Sequence, residues 1–184
     1  MGKMCVGIYG ISGSGKTTLC NYISTKMENF NFYDGSDFIE RNVDGGINNF
    51  KNLSKEKKYY ERLKVVREFK KLSSCNTENI ITSGHFCFFN KSKIDVAWTH
   101  EDNNLYTHIF YLDTPPKIIL KWHKNDIFRK RSFSCSEIEK WLKYEKHGIE
   151  SVCLENNIKF NTISSVGLIN RYNEILKKLN MEKI

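Results

Sequence analysis

The sequence predicts an α/β fold in which short buried strands of a parallel sheet alternate with amphipathic helices. Three observations predict it. Met4-Cys5-Val6-Gly7-Ile8-Tyr9 is a short apolar run of the kind a strand buried on both faces shows. Leu19, Tyr22, Ile23 and Lys26-Met27 then recur with the spacing of a helix that has one apolar face. The same alternation continues, with further strands expected at Phe30–Tyr33, Asn79–Ser83, Tyr106–Leu112 and Ile158–Phe160.

Between the first strand and the first helix lies Gly10-Ile11-Ser12-Gly13-Ser14-Gly15-Lys16-Thr17-Thr18, which fits G-x-x-x-x-G-K-[ST], the phosphate-binding P-loop or Walker A pattern. Glycines at this spacing let successive backbone N–H groups turn inward around a phosphate. Lys16 brings a positive charge to the β- and γ-phosphates, and Thr17 offers a hydroxyl to a magnesium ion. The start of the helix adds its free amides and positive dipole end. Gly10, Ser12, Gly13, Ser14, Gly15, Lys16, Thr17 and Thr18 are therefore the candidate nucleotide-binding residues.

The second strand ends in Asp34-Gly35-Ser36-Asp37. Ligands of open α/β sheets sit outside the carboxyl ends of the strands, so a carboxylate there can hold magnesium or take a proton from a substrate hydroxyl. An Asx turn followed by a helix N-cap accounts for the same residues. Residues 41–53 read as a loop. Ser54 can cap the next helix, whose apolar face carries Tyr59, Leu63, Val66 and Phe69, with Arg62 and Arg67 on or near its polar side. Arg67 is a candidate substrate clamp as well as a plain solvated arginine.

The third strand ends at Gly84-His85, so His85 can hydrogen-bond a substrate or act as a base near neutral pH. Residues 90–104 read as a loop anchored by Trp98. After the fourth strand, Asp113 or Thr114 is expected to cap the helix that begins with proline. A basic turn containing Lys121, His123, Lys124, Arg129, Lys130 and Arg131 follows, with the charge of a closing lid or of a solvated connection. Ser134-x-x-Glu137 and Ser136-x-x-Glu139 are alternative capping boxes for the next helix. Asn161–Ser165 reads as the last loop on the crevice side, before an amphipathic closing helix.

On these residues the chain resembles the P-loop small-molecule kinases, among them the adenylate, shikimate, gluconate and adenylylsulfate kinases. Tyr33-Asp34-Gly35-Ser36-Asp37 resembles the D-G-D of the gluconate and adenylylsulfate enzymes, one residue longer. Asp113-Thr114-Pro115 is similar to a D-T-P of the adenylylsulfate group, and Asp126-x-x-Arg129-x-Arg131 to the arginine-bearing lid. Trp122-His123 departs from an arginine common in the family, and Gly84-His85-Phe86 matches none of the named acceptor motifs. The resemblance implies a three-layer α/β/α P-loop NTPase fold whose five parallel strands are ordered 2-3-1-4-5. It also implies one domain over residues 1–184, with an acceptor-binding segment around 35–75 and a lid around 124–134.

The implied activity is transfer of the γ-phosphate of ATP, with Mg2+, to a small-molecule acceptor. Lys16, Asp34, Asp37, Arg129 and Arg131 would be the catalytic residues, with Arg67, Gly84 and His85 on the acceptor and Thr17 and Asp34 on the metal. No set of residues that reads the base can be isolated, so GTP stands beside ATP. A polynucleotide 5′-hydroxyl kinase and a nucleotide-dependent switch or ATPase are the competing readings.

Composition narrows these readings. The net charge is +8, from 29 Lys and Arg against 21 Asp and Glu, which suits polyanions and a nucleoside triphosphate alike. Six scattered cysteines without a C-x-x-C pair fit a reducing, cytoplasmic setting and offer no metal-site spacing. No apolar run approaches the roughly 18 residues of a membrane span, and no signal peptide is expected.

Overall fold

The computed structural model describes residues 3–75, 78–90, 93–126 and 132–181. Its centre is a parallel sheet built from β1 (Cys5–Tyr9), β2 (Phe30–Asp34), β3 (Asn79–Gly84), β6 (His108–Leu112) and β7 (Lys159–Ile163). They lie side by side as β2-β3-β1-β6-β7. Counting only these five, the order is 2-3-1-4-5, as expected.

Alternation along each strand divides the core. In β1, Cys5 and Tyr9 face the layer of α4 (Lys55–Cys75) and α6 (Cys135–Glu155), where Val65, Val66, Phe69, Ile149 and Cys153 are buried. Val6 and Ile8 face α1 (Lys16–Lys26) and α7 (Leu168–Lys178), packing with Leu19, Cys20, Ile23 and Ile175. β6 repeats the pattern, with Ile109 and Tyr111 on the first side and Phe110 and Leu112 on the second. All four are fully buried, and full burial of a large apolar side chain contributes about 1.5–3 kcal/mol. Helices on both faces of a parallel sheet give the three-layer α/β/α arrangement. Cys5, Cys20, Cys87 and Cys153 are buried free thiols and pack as small hydrophobes.

Several loop expectations are corrected. After α2 (Gly35–Asn42), residues 41–53 are not a loop throughout, because α3 spans Gly46–Asn52. Gly45 turns the chain at φ 75°, and the Glu40 carboxylate accepts the Ile47 amide at 2.8 Å, satisfying one free N–H of the new helix. Within 90–104, β5 (Lys93–Val96) pairs antiparallel with β4 (Cys87–Asn90) as a separate hairpin. The last strand also runs through Asn161 and Thr162 to Ile163.

Capping divides in the same way. Ser134 and Glu137 form the capping box of α6, and the Ser54 hydroxyl accepts the Lys57 amide at the start of α4. Neither Asp113 nor Thr114 caps α5 (Pro116–Asn125), whose N-cap is Pro115. Asp113 pairs instead with Lys146 at 2.7 Å.

Candidate active site

The parallel register aligns the strand ends: Tyr9 lies beside Gly84 and Tyr111, and Asp34 beside Ser83. Along this rim runs one cleft of about 1640 Å³. The loop between β1 and α1 forms one end, where Gly13, Gly15, Lys16, Thr17 and Thr18 line the cleft. Gly13 and Gly15 have φ of 81° and 91°, a region that residues with side chains rarely enter. A Cβ at Gly13 would also stand 2.4 Å from His123 Nε2, and one at Gly15 3.0 Å from Arg171 Nη1.

Those two neighbours brace the loop from beneath. His123 on α5 donates from Nε2 to the Ser12 carbonyl at 2.8 Å. Arg171 on α7, only 3% exposed, donates to the Ser14 carbonyl at 2.7 Å, the Thr114 hydroxyl at 2.6 Å and the Ser165 carbonyl at 2.8 Å. Lys16 Nζ donates to the carbonyls of Gly10 and Ile11 at 2.8 and 3.0 Å. Gly10, Ser12 and Ser14 do not line the cleft; the Ser14 hydroxyl is wholly buried and makes no hydrogen bond with any described residue. Trp122, Val166 and Leu168 border the cleft beside the loop.

Asp34 and Asp37 both line the cleft. Asp34 is the N-cap of α2: its Oδ1 accepts the Ser36 amide at 2.8 Å and the Ser36 hydroxyl at 2.7 Å, while Oδ2 accepts the Ser83 hydroxyl at 3.3 Å. The cap and the rim position thus belong to one residue. Gly84 packs against the Tyr9 ring, leaving no room for a Cβ. His85 lines the cleft, with its ring 4.7 Å from that of Phe88.

Behind His85 is Glu145, a fully buried carboxylate whose two oxygens accept the Phe86 and Cys87 amides at 2.7 Å each. Burial, offset in part by those amides, pushes its pKa up to about 7. His85 Nδ1 stands 4.0 Å from its Oε1.

The other end of the cleft is aromatic, lined by Tyr9, Phe69, Phe88, Trp98 and Tyr106 with Val65 and Val66 of α4. Arg62 lies here, its guanidinium 5.7 Å from the Phe50 ring and 5.5 Å from the Phe88 ring. Arg67 does not line the cleft; it pairs with Glu101 at 3.0 Å, its side chain 58% exposed. On α4 Arg62 is three, four and seven residues before Val65, Val66 and Phe69, and so shares their face; Arg67 points elsewhere. Arg129 and Arg131 lie outside the described residues.

Sequence reasoning missed Arg171, Glu145 and the cleft-facing role of Arg62. Arg62 and Glu145 left a signal, since each is a charged residue on an apolar stripe; Glu145 falls four residues from both Trp141 and Ile149. Arg171 left none. Among the described residues no cluster of three or more His, Cys, Asp or Glu could hold a metal ion, and no helix is long and apolar enough to cross a membrane.

Residues 9–141 match the AAA domain family. A comparison with curated proteins returns no match. Among solved structures, shikimate kinase from Acinetobacter baumannii in complex with shikimate is similar with a TM-score of 0.66 and 18% identity, covering 97% of this chain and 93% of that one. A gluconokinase from Sinorhizobium meliloti gives 0.58 and 14%, covering 97% and 91%. Deoxyadenosine kinase from M. mycoides gives 0.56 and 19%, covering 96% and 98%. At these identities the likeness is one of fold.

Proposed function

The chain belongs to the AAA domain family, and from that premise we propose that it is an ATP- and magnesium-dependent kinase moving the γ-phosphate to the hydroxyl of a small molecule. One observation carries the reading: the phosphate loop, the rim carboxylates and an aromatic chamber share a single cleft. A pocket for one small ligand commonly measures about 300–1,000 Å³, so about 1640 Å³ leaves room for a donor and an acceptor together.

The loop amides and Lys16 would hold the triphosphate. Trp122, Val166 and Leu168 would flank the part of the nucleotide beyond it. The site fits magnesium in its donor chemistry: the Thr17 hydroxyl and Asp34 carboxylate are hard oxygen ligands on one cleft, and this ion keeps most of its shell as water and phosphate. Bound there, magnesium would neutralise charge on the phosphates. The acceptor oxygen forms its bond to the γ-phosphorus as the bond to the β–γ bridging oxygen breaks, and that electron pair leaves on ADP. Asp37 or His85 takes the hydroxyl proton, since Oδ1 of Asp34 is committed to Ser36. Arrangement and charge do the rest. Helices α2 to α4 would supply much of the acceptor side, the segment around 35–75, and four buried thiols suit a reducing cytoplasm.

The test is a transfer assay with γ-labelled ATP and magnesium across nucleosides, nucleoside monophosphates and sugar acids. Label should appear on one acceptor class. Release of label only as inorganic phosphate, whatever acceptor is added, would overturn the reading.

A further inference from the structure

We propose that the aromatic end of the cleft binds an uncharged alcohol carrying a planar heteroaromatic ring with an amino or N–H group, the chemistry of a nucleoside. This rests on the phosphotransferase reading and names the acceptor class for it.

The first support is the wall. Tyr9, Trp98 and Tyr106 form a contiguous aromatic surface, with ring centroids 5.8 to 5.9 Å apart, and all three line the cleft. Tyr9 and Tyr106 are only 3% and 9% exposed, so the half-buried Trp98 presents the face on which a planar ring would stack. Tyr9 immediately precedes Gly10, so the aromatic wall begins beside the phosphate loop.

The second support is Asp102, which also lines the cleft although only 5% exposed. Its Oδ2 accepts the Thr99 amide at 2.7 Å and the Thr99 hydroxyl at 2.6 Å. Both of these hydrogen bonds fall on the one oxygen. A carboxylate oxygen in such a place calls for a donor, and a nucleobase amino group supplies one edge-on to a stacked ring.

The third support is charge. An anionic acceptor is held best by an unoccupied planar cation that can grip it bidentately. Arg62 is the arginine of this end among the described residues, and it is committed: its guanidinium lies between two phenylalanines, 3.6 Å from Asp95, and donates to the Val96 carbonyl at 3.2 Å. Lys51 and Lys58 reach the cleft as point charges without that fork. Four carboxylates (Asp34, Asp37, Asp95 and Asp102) offset the five cations (Lys16, Lys51, Lys58, Arg62 and Arg171) that line the same cleft. A neutral acceptor needs no such grip.

The experiment uses the full chain with adenosine, guanosine and cytidine, their 5′-monophosphates, shikimate and gluconate. Binding is read by calorimetry without ATP, and transfer by γ-labelled ATP with magnesium. At least one nucleoside should bind and should accept phosphate with kcat/KM at least ten times that of its monophosphate or either acid. Asp102→Asn should raise the nucleoside KM about tenfold with Mg-ATP affinity unchanged. Should that variant fail to fold, Trp98→Leu should weaken nucleoside binding in the same direction. Transfer to an acid or a monophosphate with nucleosides inert would overturn the ring subsite and leave the kinase reading intact. Nucleoside binding without transfer to any acceptor would sink the kinase reading and leave the subsite. Absence of nucleoside binding in the wild type would overturn the subsite.

Discussion

Glu145 holds Phe86 by its backbone: the carboxylate on α6 accepts the Phe86 amide at 2.7 Å, and its second oxygen accepts that of Cys87 at the same distance. One buried side chain thereby sets the loop on which His85 stands. Burial raises the carboxyl from an ordinary 4.5 to about 7. The folded value lies above the unfolded one, so the native state binds the proton more tightly. Stability from this group is therefore full below pH 4.5 and is lost as pH rises through about 7. Glu145→Gln should flatten the dependence of Tm on pH across that window. At pH 7.5 it should also cost roughly 2 kcal/mol, because its NH2 group faces one of the two amides. A variant with the wild-type pH profile would refute the assignment.

Arg171 offers a second test. Replacing it with leucine strips a donor from the carbonyls of Ser14 and Ser165 and from the Thr114 hydroxyl. We expect a loss of about 3 kcal/mol by denaturant titration. At temperatures where the variant stays folded, KM for ATP should rise more than kcat falls, since the loop is loosened and the reacting groups are kept. Equal loss in both parameters would place Arg171 on the transferring phosphate instead.

Lys16→Ala should remove roughly 3 kcal/mol of transition-state stabilisation, about a hundredfold in kcat/KM. The stabilisation of wild-type protein by Mg-ATP, about 2.7 kcal/mol at a hundredfold excess over Kd, should largely vanish. Near-normal turnover in this variant would remove the loop from the chemistry.

The arginines of α4 should part company. Arg62→Ala should cost roughly 2 kcal/mol, since it empties the space between Phe50 and Phe88 and leaves Asp95 without its partner. Arg67→Ala touches an exposed pair with Glu101 and should move Tm by no more than about 1 °C, with acceptor KM unchanged. A large kinetic effect at Arg67 would restore it to the acceptor site.

Much of this molecule was readable because its signals are local. Strand, glycine loop and helix follow one another from Cys5 to Lys26, and each element's pattern is complete within its own residues. Helix α3 was not readable: it is seven residues long and gains its first partner from Glu40, on the preceding helix. The hairpin was hidden because Cys87-Phe88-Phe89 is apolar on both faces, while its partner Lys93-Ile94-Asp95-Val96 has the composition of a loop. In the site, Asp34 announced itself by lying at a strand end. Asp102 did not, since its place on the cleft comes from the packing of β1 against β6 and the turn before it.

The hydrogen bond between Arg171 and Ser14 joins residues 157 apart in the chain. At a synthesis rate of about 5–20 residues per second, Ser14 is made roughly 8–30 s before Arg171. Until then the loop lacks its strongest brace, and a ribosome-bound chain stopped short of α7 should retain nucleotide poorly. Tight nucleotide retention in this protein would then be a property acquired late in synthesis, when the closing helix docks.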